Sequence, residues 1–148
     1  MNLNEMKKKT PTTGWFTFDK SGVEIELRYE SPAETRMRAE RCTEIVNGRE
    51  RANNEKAMEE FAGLIISWRG LTLGKASELM NLELPADADL TAGVPCTKEN
   101  KLALIVEAWG FENWVGQKCT SLADFVAAKR EAERKNSQPS PSGGSPAA

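Results

Sequence analysis

The sequence predicts an α+β fold: an N-terminal β-hairpin packed with a bundle of about four to five helices, flanked by disordered termini. Three observations carry this expectation. Residues Val23-Glu24-Ile25-Glu26-Leu27-Arg28-Tyr29 alternate apolar and polar, the period of a strand with one dry face. Ser31-Pro32-Ala33-Glu34 reads as a helix start, with Ser31 capping, Pro32 at a position where its missing N–H costs nothing, and Glu34 closing a capping box. Beyond them, apolar residues recur at spacings of three and four, the period of helices packed on a core.

Taken in order, residues 1–13 are polar, with Lys7-Lys8-Lys9 followed by Thr10-Pro11-Thr12-Thr13, and are expected to form a flexible arm. Trp15-Phe16-Thr17-Phe18 is the first strand of the hairpin, and Gly22 supplies the positive φ that its turn needs. The helix started by Ser31 is rich in Arg and Glu and carries a thin stripe through Ala39, Cys42, Ile45 and Val46, so it is expected to lie wet across the sheet until Asn47-Gly48 breaks it. A second helix is expected from about Asn54 to Trp68 on the stripe Ala57, Phe61, Leu64, Ile65 and Trp68, with Gly70 as its C-terminal cap.

The stretch from Leu71 to Ala92 is mixed, with a short helix over Lys75 to Leu82 and an exposed loop over Pro85-Ala86-Asp87-Ala88-Asp89. Thr97 then caps a helix bearing Leu102, Ile105, Val106 and Trp109 on one side. After Gly110, a helical period runs through Phe111, Trp114, Val115, Leu122, Phe125 and Val126, as one bent helix or as two, with Ser121 and Asp124 able to restart the second. Residues 129–135 are polar all round, and from Asn136 onward the composition is that of a disordered Pro/Ser/Gly tail. The domain limits that follow are a 1–13 arm, a 14–128 folded unit and a 129–148 charged helix end and tail.

Composition narrows the function. The formal charge of −2 supplies no field to attract nucleic acid or an anionic membrane, and Lys7-Lys8-Lys9 reads as a solvated run rather than a phosphate site. No run approaches a membrane span and none resembles a signal peptide, so a cytoplasmic location is expected. The three cysteines, Cys42, Cys96 and Cys119, are too widely spaced for a zinc knuckle or a disulfide framework. There is no histidine, which removes the commonest metal ligand and the commonest acid-base group near neutral pH. No catalytic, metal or cofactor residues are therefore assigned. Glu83, Asp87 and Asp89 lack the glycine and the closing glutamate of a calcium loop, and Arg36, Arg38 and Arg41 read as a solvated face balanced by Glu34, Glu40 and Glu44 rather than an anion site.

The order of parts carries one resemblance. A short hairpin, a Ser-Pro helix start, Trp68-Arg69-Gly70-Leu71-Thr72, a loop, Val94-Pro95-Cys96-Thr97-Lys98-Glu99-Asn100, then Phe111-Glu112-Asn113-Trp114-Val115 and Leu122-Ala123-Asp124-Phe125 running into a charged end together resemble the tail assembly chaperones of long-tailed bacteriophages and prophages. The resemblance covers most of residues 15–135. It implies a non-enzymatic protein that binds the tape measure protein in the host cytoplasm before and during tail tube polymerisation, with the tail tube protein as a further candidate partner, and that is absent from the mature virion. It also implies a longer form made by ribosomal frameshifting, for which the codons of Arg134-Lys135-Asn136 are compatible with an A-rich slippery run.

Candidate partner-binding residues are Trp109, Phe111, Trp114 and Phe125, because aromatic anchors dominate interface energetics and four tryptophans exceed what packing so small a domain demands. Each also lies on a helix-period stripe and so has a core reading, and self-association would use the same surface. Two other classes remain open. An enzyme would use Cys96, which precedes a helix N-terminus, with Glu99 or a lysine as base. An adaptor or regulatory protein of another phage morphogenesis or host pathway would act by protein binding alone.

Overall fold

Strand pairing starts where the alternation predicts it. The computed structural model describes residues 1–7, 12–19 and 21–137. Lys8 to Pro11 of the expected arm, and the tail from Gln138 onward, lie outside the described residues. Strand β1 (Thr13–Phe18) pairs antiparallel with β2 (Val23–Arg28), and Phe16 opposite Ile25 and Phe18 opposite Val23 form the dry face. Gly22, at φ +78°, makes the turn between them. Ahead of β1, the arm holds a short, exposed 3₁₀ helix at Leu3–Glu5, capped by the Asn2 side chain.

Two expected helices are cut short by strands. Helix α1 (Pro32–Arg41) begins on the full capping box of Ser31 and Glu34 but ends at Cys42. The β-branched run Thr43, Ile45 and Val46 then forms β3 (Thr43–Val46), which pairs with β4 (Arg49–Ala52). Asn47 and Gly48, at φ +53° and +76°, form the tight turn of this second hairpin rather than a helix break.

Helix α2 (Asn54–Ala62) stops at Gly63, and β5 (Ile65–Arg69) adds a third strand, antiparallel, to the free edge of β2. The sheet order is β1-β2-β5. Leu27 pairs with Ile65 and Glu26 with Ser67, so the chain bulges at Ile66. That extra residue turns both Ile65 and Trp68 inward although they are three apart, an odd separation that a regular strand would place on opposite faces. Gly70 therefore follows a strand, not a helix. At φ +77°, it approaches the Gly22 carbonyl so closely that a Cβ there would lie 3.3 Å from the oxygen.

Four further helices complete the domain: α3 (Leu73–Met80), α4 (Lys98–Glu107), α5 (Phe111–Cys119) and α6 (Leu122–Ser137). The described residues thus hold six α-helices against the expected four to five. Thr72 and Thr97 cap α3 and α4 through their side chains, and α5 and α6 are separate helices divided at Thr120-Ser121. α6 runs past the expected end of the folded unit, but everything on it after Ala128 is exposed.

The core lies between the dry face of the sheet and the helices. Val23, Ile25, Leu27, Leu64, Ile65, Phe111, Val115, Cys119 and Phe125 are fully buried there. α5 packs on β2, α6 on β1 and α2 on α4. Phe125 meets Phe16 edge to face at 5.0 Å and Tyr29 at 5.7 Å, so aromatic packing fixes α6 to the first hairpin.

Candidate functional site

The four aromatic candidates divide by depth. Phe111 and Phe125 are core residues, 1% and 0% exposed, and neither is presented to a partner. Trp114 is half-buried, held edge to face by Phe18 at 5.1 Å and stacked with Phe111 at 6.1 Å. Trp109 is 95% exposed.

The local backbone explains the difference. On an uninterrupted helix, Trp109 would follow Ile105 by one turn and share its buried face. Helix α4 instead ends at Glu107, Ala108 turns extended with φ −84° and ψ 119°, and Gly110 adopts φ +77° to open α5. The α4 residues buried in the core are Leu104 and Ile105, with Leu102 half-buried against it and Ala108 at the helix cap, while Val106 and Trp109 face outward. The corner between the two helices thus carries an indole that contributes almost nothing to packing.

Around that corner the surface is shaped. A shallow hollow of about 260 Å³ is lined by Val106, Glu107, Ala108, Trp109, Glu112 and Asn113, among others. Glu112 and Asn113 also border a second, more open depression of about 530 Å³ that runs along α5 past Gly116 and Gln117 to Thr120. Phe61 of α2 forms its floor, because Gly116 has no side chain to cover it; a Cβ there would stand 3.7 Å from the ring. The knuckle and the groove are one continuous surface. Phe61, Glu107, Glu112 and Gly116 were not among the candidates from sequence. The signal that marks two of them is that, from Leu102 to Gln117, the chain carries these two carboxylates and no base.

A third groove, of about 510 Å³, separates the outer face of the sheet from the C-terminal half of α6. Its aromatic, Trp15, is already covered by the Arg69 guanidinium 4.2 Å above the ring, and Arg69 is ion-paired to Glu24. Within this groove, the aromatic ring and the Arg69–Glu24 pair are thus engaged with one another.

Arg38 and Arg41, two of the remaining polar candidates, are engaged within the fold. Glu30 is 3% exposed and receives hydrogen bonds from Arg38 Nε at 2.8 Å, Arg38 Nη2 at 2.9 Å and Thr35 Oγ1 at 2.8 Å. Burial pushes its carboxyl up, but the bonds from Arg38 and Thr35 outweigh that and hold it below the usual carboxylate range. Its backbone N–H donates to Cys119 O, so Glu30 joins the end of β2 to both α1 and α5. Of the three arginines on α1, Arg38 is engaged by Glu30 and Arg41 by Glu60.

The Cys96 thiol is raised by burial, with Lys101 only partly offsetting it, so its place before α4 does not activate it. Cys42 is raised by burial and by donating to Glu60, and Cys119 is pushed up to about 12 by burial. Asp89 is occupied by the Thr91 backbone and hydroxyl. No group of metal-ligating side chains stands together among the described residues, and no helix among them is long and apolar enough to cross a membrane. No known protein family, characterised protein or solved structure matches the chain.

Proposed function

We propose that the protein is a non-enzymatic binding protein that acts as a tail assembly chaperone of a long-tailed bacteriophage or prophage, holding the tape measure protein in the host cytoplasm while the tail tube forms. The supporting observation is Trp109: an indole almost wholly in solvent, on the corner between two core helices, beside a groove along α5. A large aromatic that adds nothing to packing is the residue type that anchors protein interfaces. A groove beside a helix suits an amphipathic helical segment. A tape measure chain, long and rich in such segments, would self-associate through its apolar stripes unless they were covered. Many copies along one chain would add avidity, so weak individual contacts suffice.

Co-expression with the tape measure protein of the same genome tests the reading. The tape measure protein is expected to become soluble and to copurify with this chain, and Trp109→Ala is expected to abolish copurification without lowering the yield of the chain. A tape measure protein that stays insoluble, with nothing copurifying, refutes the chaperone role and leaves an adaptor with a different protein partner.

A further inference from the structure

From the charge and shape around Trp109, we infer that the knuckle takes an amphipathic helix bearing lysine or arginine beside its apolar stripe, with the cationic group seated on the indole between Glu107 and Glu112. The inference deepens the reading of this surface as a protein-binding site and rests on it.

Three features of the surface specify that chemistry. The apolar part, Trp109 with Val106 at 59% exposure, is too small to hold a helix by burial alone and fits one or two side chains of an apolar stripe. Glu107 and Glu112 border the same hollow as Trp109, and neither has an ion-pair partner among the described residues. The face of an indole attracts a cation, and two carboxylates beside it strengthen that preference, whereas an acidic side chain would be repelled by both.

The same molecule shows the arrangement elsewhere. The Arg69 guanidinium lies over the Trp15 ring and pairs with Glu24. At Trp109 the ring and the carboxylates are in place, and no described residue supplies a cation. The nine residues of α5 give the groove beyond the knuckle a length of about 14 Å at about 1.5 Å per residue. That accommodates about two to three turns of a helix, with its next apolar residue over Phe61.

Two synthetic peptides test this: amphipathic helices of about 14 residues with identical leucine positions, one with lysine and the other with glutamate at every polar position. Binding to the full chain is measured by calorimetry at low and at physiological salt. The lysine peptide is expected to bind at least about tenfold more tightly, with a preference that shrinks as salt rises. Trp109→Ala is expected to weaken the lysine peptide by about tenfold or more. Glu107→Lys with Glu112→Lys is expected to reverse the preference toward the glutamate peptide.

All three positions are exposed, so unchanged thermal melting of the variants confirms that the fold is intact. Equal binding of the two peptides, no binding of either, or a preference that survives the double reversal overturns the inference. A lysine preference with an insoluble tape measure protein refutes the chaperone role and leaves the inference standing. A solubilised tape measure protein with no lysine preference does the opposite.

Discussion

Trp68 and Val94 stand 26 positions apart and are joined by one hydrogen bond, from the indole Nε1 to the Val94 carbonyl oxygen at 2.7 Å. The bond closes the long connection between β5 and α4 over the core. Leu73 N–H to Ala92 O, Gly74 N–H to Leu90 O and Val94 N–H to Leu71 O support it. The stretches Trp68–Thr72 and Val94–Asn100 are therefore two sides of one clasp. Trp68→Phe keeps most of the ring but leaves the Val94 carbonyl without its donor. It is expected to cost about 1–3 kcal/mol in urea denaturation and to speed amide exchange around residues 90–94.

Glu30 and Arg38 form the most deeply buried ion pair in the described chain, and removing one partner strands the other. Glu30→Gln is expected to destabilise the domain by about 3–5 kcal/mol, as breaking a buried pair does. Replacing both partners, by Glu30→Gln with Arg38→Met, should cost less than the sum of the single changes, which a double-mutant cycle reads directly.

The same pair sets an acid dependence. The Glu30 carboxyl lies below its ordinary value of 4.5 in the folded protein. A depressed folded-state value means that the unfolded chain takes up a proton first as pH falls. The stabilisation is thus complete above the ordinary value and is lost as pH drops from there through the folded value. Wild-type stability is expected to fall more steeply than that of Glu30→Gln as pH is lowered below about 4.5, followed by denaturant midpoints across that range.

Trp109 and Phe125 offer opposite outcomes from the same kind of change. Phe125→Ala removes a ring in contact with Phe16 and Tyr29 and is expected to cost about 3–5 kcal/mol. Trp109→Ala is expected to shift stability by no more than about 0.5 kcal/mol, and to show its effect only in binding. Equal destabilisation by the two changes would mean that the indole packs on the domain in solution.

The three thiols are expected to alkylate slowly in the native protein at neutral pH, because burial raises all of them. Cys96, the most accessible, should react first, and Cys42 and Cys119 only when the domain opens. Mass spectrometry of a timed labelling series gives the order. Rapid selective labelling of Cys96 would reopen the case for a nucleophilic role.

The first hairpin, the start of α1 and the cap of α4 were legible in the sequence because each is written in local chemistry: alternation, Ser-Pro-x-Glu, and Thr before a helix. The third strand was not. Ile65 and Trp68 are both buried at a spacing of three, which is the mark of a helix, and the bulge at Ile66 is what lets a strand reproduce it. The deciding fact was an edge of β2 needing a partner some 40 positions downstream, which no local window contains. Asn47-Gly48 did carry the signal of a hairpin turn, and the helical spacing before it masked that reading. Of the aromatic candidates, Phe111 and Phe125 followed the helix period into the core, whereas Trp109 left it where α4 ends two residues earlier. Periodicity identifies which residues are apolar on one face; it does not fix where the helix stops.

The sheet order also bears on synthesis. β2 is the central strand, yet its second neighbour, β5, leaves the ribosome about 40 residues after it. At about 5–20 residues per second, the open edge of β2 waits for about 2–8 s, while α1, the second hairpin and α2 emerge. A nascent chain arrested before Ile65 would hold a two-stranded ribbon with both edges open and less than half of the core, and would be a substrate for host chaperones and proteases. Translation of Ile65–Arg69 closes that edge of β2, and the dry face of the completed sheet is covered only once α5 and α6 have followed.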